Sequence, residues 1–190
     1  MRKIVVGMFI SLDGVIEGPG PSDDFQYAGW TMPYYSDEVG GYVGSRIMAT
    51  DAMLLGRHTY QGFEAAFAPQ SGGVADIMNN TRKYIVSTTL KTVDWQNSTL
   101  INTNIMDEIT SIKQQPGQDI SISGSGALVQ SLMQHNLIDE LSLLVYPVVL
   151  GTGKRLFPDG MAKADLTLIE AKPLSKGVVV LRYQPNTTGQ

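Results

Sequence analysis

Apolar residues come in short runs broken by glycine, proline and small polar residues, and the spacing inside each run separates strands from helices. Lys3 to Ile10 is continuous and apolar and closes at Ser11-Leu12-Asp13-Gly14. That pattern suits a strand buried on both faces in the middle of an α/β sheet. Gly18 to Pro21 reads as a loop. From Tyr34 to Thr50, Val39, Val43, Ile47 and Met48 share one helical face, although Gly40, Gly41 and Gly44 weaken the helix. Ala52 to Leu55 is a short strand ending at Gly56, and Thr59 to Phe67 is a helix with Tyr60, Phe63 and Phe67 on one side. Lys83 to Ser87 and Ser98 to Ile101 are strands, and Ile105 to Lys113 is a helix stopped by Pro116-Gly117. Asp119 to Ser123 is a strand, and Gly124-Ser125-Gly126 leads into a helix from Ala127 to His135. Asp139 to Leu150 reads as one long strand interrupted by Pro147. Leu166 to Ala171 and Val178 to Tyr183 read as a hairpin.

Strands alternating with helices predict a single-domain, three-layer α/β/α fold. Its sheet is mostly parallel and becomes mixed through a C-terminal antiparallel hairpin. There is no internal repeat and no linker, so residues 1–185 form one domain and residues 186–190 a flexible tail. The 190 residues are 43% hydrophobic and 17% charged, the balance of a soluble globular chain. The absence of cysteine removes disulfides, thiolate metal sites and cysteine nucleophiles. The first apolar run is too short for a membrane span or a signal peptide, so a cytoplasmic protein with no membrane partner is expected. The net charge of -4 carries no electrostatic footprint for nucleic acid. An anionic ligand must then be held by local donors.

Three strand ends offer such donors. Ser123-Gly124-Ser125-Gly126 joins a strand to a helix, where glycines let backbone approach a phosphate and the helix N-terminus donates to it. A tight strand-to-helix turn needs the same glycines. Gly56-Arg57-His58-Thr59-Tyr60 has the same context: Arg57 can pair with a phosphate, and Thr59 can donate its hydroxyl or cap the helix. Ser87-Thr88-Thr89 follows a third strand, as a phosphate contact or a plain turn. Three such edges together suggest an extended, multiply phosphorylated ligand such as a dinucleotide. Asp13 can orient a polar substrate or relay a proton, or simply form an Asp-Gly turn. Trp30 and Pro33-Tyr34-Tyr35 can wall a flat ring, or pack a loop onto the core. No two histidines stand at zinc-ligand spacing, and no metal site is expected.

The ordered set Ser11-Leu12-Asp13-Gly14, Gly56-Arg57-His58-Thr59-Tyr60, Ser123-Gly124-Ser125-Gly126, Asp139-Glu140-Leu141 and Pro147-Val148-Val149-Leu150-Gly151 resembles the dihydrofolate-reductase-like family. The likeness is specifically to the reductase domain of the riboflavin-biosynthesis deaminase–reductase, from Lys3 to about Pro185. The resemblance implies NADPH as hydride donor, a small heterocyclic substrate of pteridine or pyrimidine type, and a homodimer. It places Arg57 and Thr59 at the cofactor phosphates and Ser87 and Thr88 near the adenosine phosphate. Gly124, Ser125, Gly126, Ala127 and Leu128 would cradle the pyrophosphate, and Asp13 would face nicotinamide and substrate. Two positions depart from the pattern: Gly7 stands where a lysine is expected, and Ser123 where a glutamate is expected. Both departures weigh against the aminopyrimidine ribose phosphate as substrate. A nucleotide-binding module without catalysis is the competing reading.

Overall fold

The apolar run at the start of the chain becomes a central strand. In the computed structural model, which describes residues 1–21 and 24–186, β1 (Ile4–Ser11) lies between β5 (Asp119–Ser123) and β6 (Glu140–Tyr146), parallel to both. Strands pair with both of its edges, and its alternate side chains point into layers above and below. Its sequence is therefore apolar without alternation. Outward from β5 lie β2 (Thr50–Gly56), β3 (Arg82–Val86) and β4 (Ser98–Ile101), all parallel. Beyond β6 lie β8 (Val179–Pro185) and then β7 (Leu166–Pro173), paired antiparallel. The strand order is β4-β3-β2-β5-β1-β6-β8-β7, a mixed and mostly parallel sheet in a single α/β domain.

Helices cover the two faces unequally. On one face α4 (Ile105–Gln114) and α5 (Gly126–Gln134) close over a continuous core that includes Ile4, Val6, Ile120, Ile122 and Leu141. On the other, two separate clusters form. One joins α1 (Asp37–Met48) and Trp30 to Leu144, Tyr146 and Val180; the other joins α2 (Arg57–Phe67) and α3 (Gly73–Asn80) to Met53, Leu55 and Ile85. Neither cluster includes a residue of β5.

Several boundaries differ from expectation for local reasons. The first helix begins at Asp37 because Ser36 caps it, its hydroxyl accepting from the Val39 N–H at 3.2 Å. α2 begins at Arg57, directly on Gly56. α3 was not anticipated. It starts on Gly72 and Gly73, both at positive φ, and the Asp76 carboxylate accepts from the Gly72 N–H at 2.9 Å. The long strand expected from Asp139 to Leu150 stops at Tyr146, since Pro147 has no N–H for the ladder. Asn186, expected in the tail, donates its N–H to the Asp165 carbonyl at 2.9 Å, while 187–190 lie outside the described residues. Among the described residues no helix is long and apolar enough to cross a membrane.

Candidate active site

The uneven covering of the sheet creates the site. Pairing aligns Ser123, Gly7 and Ser142 across β5, β1 and β6. One row below, Met53, Ser121 and Val5 align across β2, β5 and β1. This strip of glycine and hydroxyls lies where the two apolar clusters part, and it lines a cavity of about 1550 Å³. A Cβ added at Gly7 would meet only the Ile122 carbonyl oxygen, at 4.0 Å. The fold tolerates a side chain there, so the glycine serves the open space above it.

At the C-terminal ends of the parallel strands two helix N-termini converge on this cavity. Ser125, in left-handed conformation at φ 55, precedes α5, and Gly56 precedes α2; neither helix receives a side-chain cap. Instead the two starts are tied together. The Ser125 N–H and its hydroxyl both donate to the Thr59 hydroxyl at 2.9 Å, and the Gly56 N–H donates to the Ser125 hydroxyl at 2.9 Å. The first bond within α5 runs from the Val129 N–H to the Ser125 carbonyl. The N–H groups of Gly126, Ala127 and Leu128 thus remain as the free donors of the helix start. Gly124 sits at φ +60, and a Cβ there would come within 2.9 Å of the Thr59 hydroxyl. Only glycine permits this crossing.

The structure brings together Arg57, Thr59, Ser87, Thr88 and Gly124 to Leu128, all of which line the cavity. Arg57 is exposed; its Nη2 lies 3.2 Å from His58 Nε2, and it makes no ion pair among the described residues. The Ser87 hydroxyl accepts from the N–H groups of Thr89 and Leu90 at 3.2 and 3.1 Å, which fixes the turn, while Thr88 is exposed. At the mouth, Lys154 Nζ lies 2.5 Å from the Glu17 carboxylate, and this lysine contact holds Glu17 below the usual carboxylate range.

Asp13 is not among the residues lining the cavity. Its carboxylate accepts from the Ser11 hydroxyl and from the Leu150 and Gly151 N–H groups, binding the end of β1 to a distant loop. Trp30 and Tyr34 pack edge-on against Tyr146, at 5.3 and 5.9 Å between ring centres, and do not line the cavity. The sequence reading missed Ser121, Ser142 and Tyr42, whose hydroxyl lies 2.9 Å from that of Ser142. Ser121 carried a signal, since hydroxyls alternate along Asp119–Ser123, whereas Ser142 and Tyr42 lie on other elements and carried none.

The RibD C-terminal domain family matches residues 2–180. The chain is 29% identical to YyaP, an uncharacterized protein of Bacillus subtilis (strain 168), across 97% of this chain and 96% of that one. Among solved structures, a candidate riboflavin biosynthesis protein from Shewanella sp. PV-4 superposes with a TM-score of 0.75 at 19% identity, covering 97% of this chain and 99% of that one. The diaminohydroxyphosphoribosylaminopyrimidine deaminase/5-amino-6-(5-phosphoribosylamino)uracil reductase of Thermotoga maritima superposes with a TM-score of 0.67 at 10% identity, covering 97% of this chain and 56% of that one. Dihydrofolate reductase from Enterococcus faecalis, complexed with NADP(H) and RAB-propyl, superposes with a TM-score of 0.62 at 11% identity, covering 97% and 96%. At these identities the structural likenesses show a shared fold.

Proposed function

The chain belongs to the RibD C-terminal domain family, and on that premise we propose that it is an NADPH-dependent reductase delivering hydride to a C=N or C=O bond of a small heterocycle. The observation that carries this reading is the hydroxyl-tied pair of uncapped helix starts opening onto a cavity floored by Gly7, Ser121 and Ser123.

The residues fit the cofactor. Gly126, Ala127 and Leu128 offer unpaired N–H donors for a pyrophosphate, and Gly124 lets it approach the backbone. Ser125 acts as a brace, since its N–H and hydroxyl are already bonded to Thr59. Thr59 accepts both of those bonds, so its own O–H is left to donate. Arg57 and Thr88 are exposed at the groove and suit an adenosine phosphate. When bound, NADPH supplies the hydride, and the protein supplies orientation and a proton path.

The chain's own residues then do three things. Gly7 leaves room for a flat ring against β1. Ser121, Ser123 and the Tyr42–Ser142 pair offer hydroxyls that orient it, and one of them, or a water they hold, passes the proton to the reduced atom. The Lys154–Glu17 pair narrows the mouth. In this reading Asp13 clamps a loop and takes no part in proton transfer.

The test begins with NADPH and NADH titrations followed by fluorescence. A charged hydrogen bond from Arg57 contributes roughly 1.5–3 kcal/mol, so Arg57→Ala should weaken NADPH about tenfold or more and NADH much less. Equal losses for both cofactors would remove Arg57 from the adenosine phosphate. Oxidation of NADPH is then followed with a panel of pterins and pyrimidines. Tight binding without consumption across the panel would favour the nucleotide-binding module instead.

A further inference from the structure

One stretch of the cavity lining departs from the rest in both charge and polarity. Beyond the hydroxyl strip, the cavity is lined by Ile47 of α1, Met53 of β2, Phe63 and Phe67 of α2 and Met78 of α3. The Phe63 and Phe67 rings meet edge-on at 5.7 Å, and both pack against the buried cluster that holds Met53 and Met78. Arg46, the cation beside Ile47 on α1, is already engaged. Its Nη2 donates to the Glu140 carboxylate at 3.0 Å, and Arg182 donates to the same carboxylate from Nε and Nη2 at 2.8 and 2.9 Å. Arg182 also pairs with Glu170 at 2.8 Å. Two arginines and two glutamates therefore balance, so Arg46 brings no uncommitted charge to a phosphate arriving beside it, and Arg57, a cation of the lining with no ion pair among the described residues, is the one assigned above to the cofactor.

We infer that the substrate is an uncharged flat heterocycle carrying an apolar substituent and no phosphate, its polar edge on the Ser121–Ser123–Ser142 hydroxyls and its substituent between Ile47, Met53 and Phe63. This rests on the reductase reading and narrows it. Ser121 donates to the Ala52 carbonyl at 3.3 Å and is left to accept, while Ser123 can both donate and accept, which suits the alternating N–H, ring nitrogen and carbonyl groups of an aminopyrimidinone or a pterin. The neighbouring stretch is mostly carbon and sulfur, and its Thr50 and Thr81 hydroxyls already donate to the Ile47 and Ile77 carbonyls at 2.9 and 2.7 Å, so a polar or charged substituent would lose hydration that little there replaces. Gly7 and Ser123 complete the argument, because neither presents a charged group to a ribose phosphate.

Calorimetric titration of the NADPH-saturated protein tests the assignment with three probes: 2-aminopyrimidin-4-one, its 6-benzyl derivative, and 5-amino-6-(5-phosphoribosylamino)uracil. Burying the phenyl group should tighten binding about tenfold or more over the parent ring. The phosphoribosyl compound should bind no better than the parent. Phe63→Ala should remove most of the benzyl advantage while leaving the parent ring and NADPH unchanged. The probe comparison on the native chain stands even where that variant is unstable. A phosphoribosyl compound that binds most tightly, or a benzyl group that gains nothing, overturns the inference. The affinity for NADPH is measured separately. A chain that binds NADPH but ranks the probes otherwise loses only this inference, and a chain that does not bind NADPH loses the proposed function.

Discussion

The carboxylate of Asp13 receives three donors: the Ser11 hydroxyl at 2.7 Å and the N–H groups of Leu150 and Gly151 at 3.1 and 2.8 Å. The Ser11 bond, helped by the two backbone bonds against the opposing effect of burial, holds it down at about 2. An unfolded chain takes up that proton nearer pH 4. The group's contribution to stability is therefore complete above about pH 4 and is lost as pH falls through 2. Asp13→Asn should flatten this part of the acid limb in denaturant titrations between pH 5 and 2, and should leave NADPH affinity near the native value. A variant that stays folded and binds NADPH but loses turnover on every substrate would return Asp13 to the proton path. From sequence, Ser-Leu-Asp-Gly showed a carboxylate at a strand end but not which way it turned, because its partners lie some 137 positions away at Leu150. Ser87 was read as a phosphate contact or a turn residue, and its hydroxyl fixes a turn. Gly7 and Ser123 were legible as departures from a pattern, whereas their alignment with Ser142 depends on strand register.

Elements with long, strongly patterned runs were legible: among the described residues every strand was anticipated, the one after Asp139 too long, and four of the five α-helices. The helix that was missed is held by contacts its own sequence does not advertise. The C-terminal carbonyls of α3 are gathered by the fully buried Lys83, whose Nζ donates to Met78, Asn79 and Thr81 at 2.8, 3.2 and 2.7 Å. Its ammonium lies 4.2 Å from the centre of the Trp95 ring, and Trp95 Nε1 donates to Asn79 Oδ1 at 2.7 Å. A lysine at a helix C-terminus is favourable to the dipole, yet burial pushes its amine down to about 8. The unfolded chain keeps this proton to about pH 10.4, so between 8 and 10 it binds more protons than the folded one, and stability rises with pH across that window. The rise from this group is about 3 kcal/mol at most. Tyr146, pushed up to about 12 by burial, works in the opposite direction only above pH 10. Lys83→Met should abolish the upward slope in urea midpoints measured from pH 7.5 to 10. A slope that persists in the variant would place its origin elsewhere.

At the scale of the whole molecule the sheet is unevenly finished. One flank ends in β4, which is short, whereas the other ends in β7, eight residues paired on one side only. An unpaired edge of that length invites a partner unless charge or a bulge protects it. The register of β7 shifts between Leu168 and Glu170, which blunts the edge in part, yet Leu168 and Ile169 remain 50% and 48% exposed. Register places Leu168 beside Tyr183, and Ala171 beside Leu181, which pairs in turn with Leu143; this extends the α5-side face into a region of half-buried apolar side chains. Two apolar stretches near the C-terminal end could carry self-association, the run after Asp139 and the hairpin. The run became β6, which is interior, so of the two the hairpin is the one left to carry an interface. A homodimer built on this flank is the expected state, since a symmetric partner would bury the same patch twice. Light scattering at micromolar concentration should give twice the 20.6 kDa chain mass. Ile169→Lys should shift the mass toward a single chain, because an added edge charge opposes pairing. No residue of β7 lines the cavity, so the same variant should keep the native affinity for NADPH. A single-chain mass for the unaltered protein would end the idea, and a dimer indifferent to Ile169→Lys would move the interface away from β7.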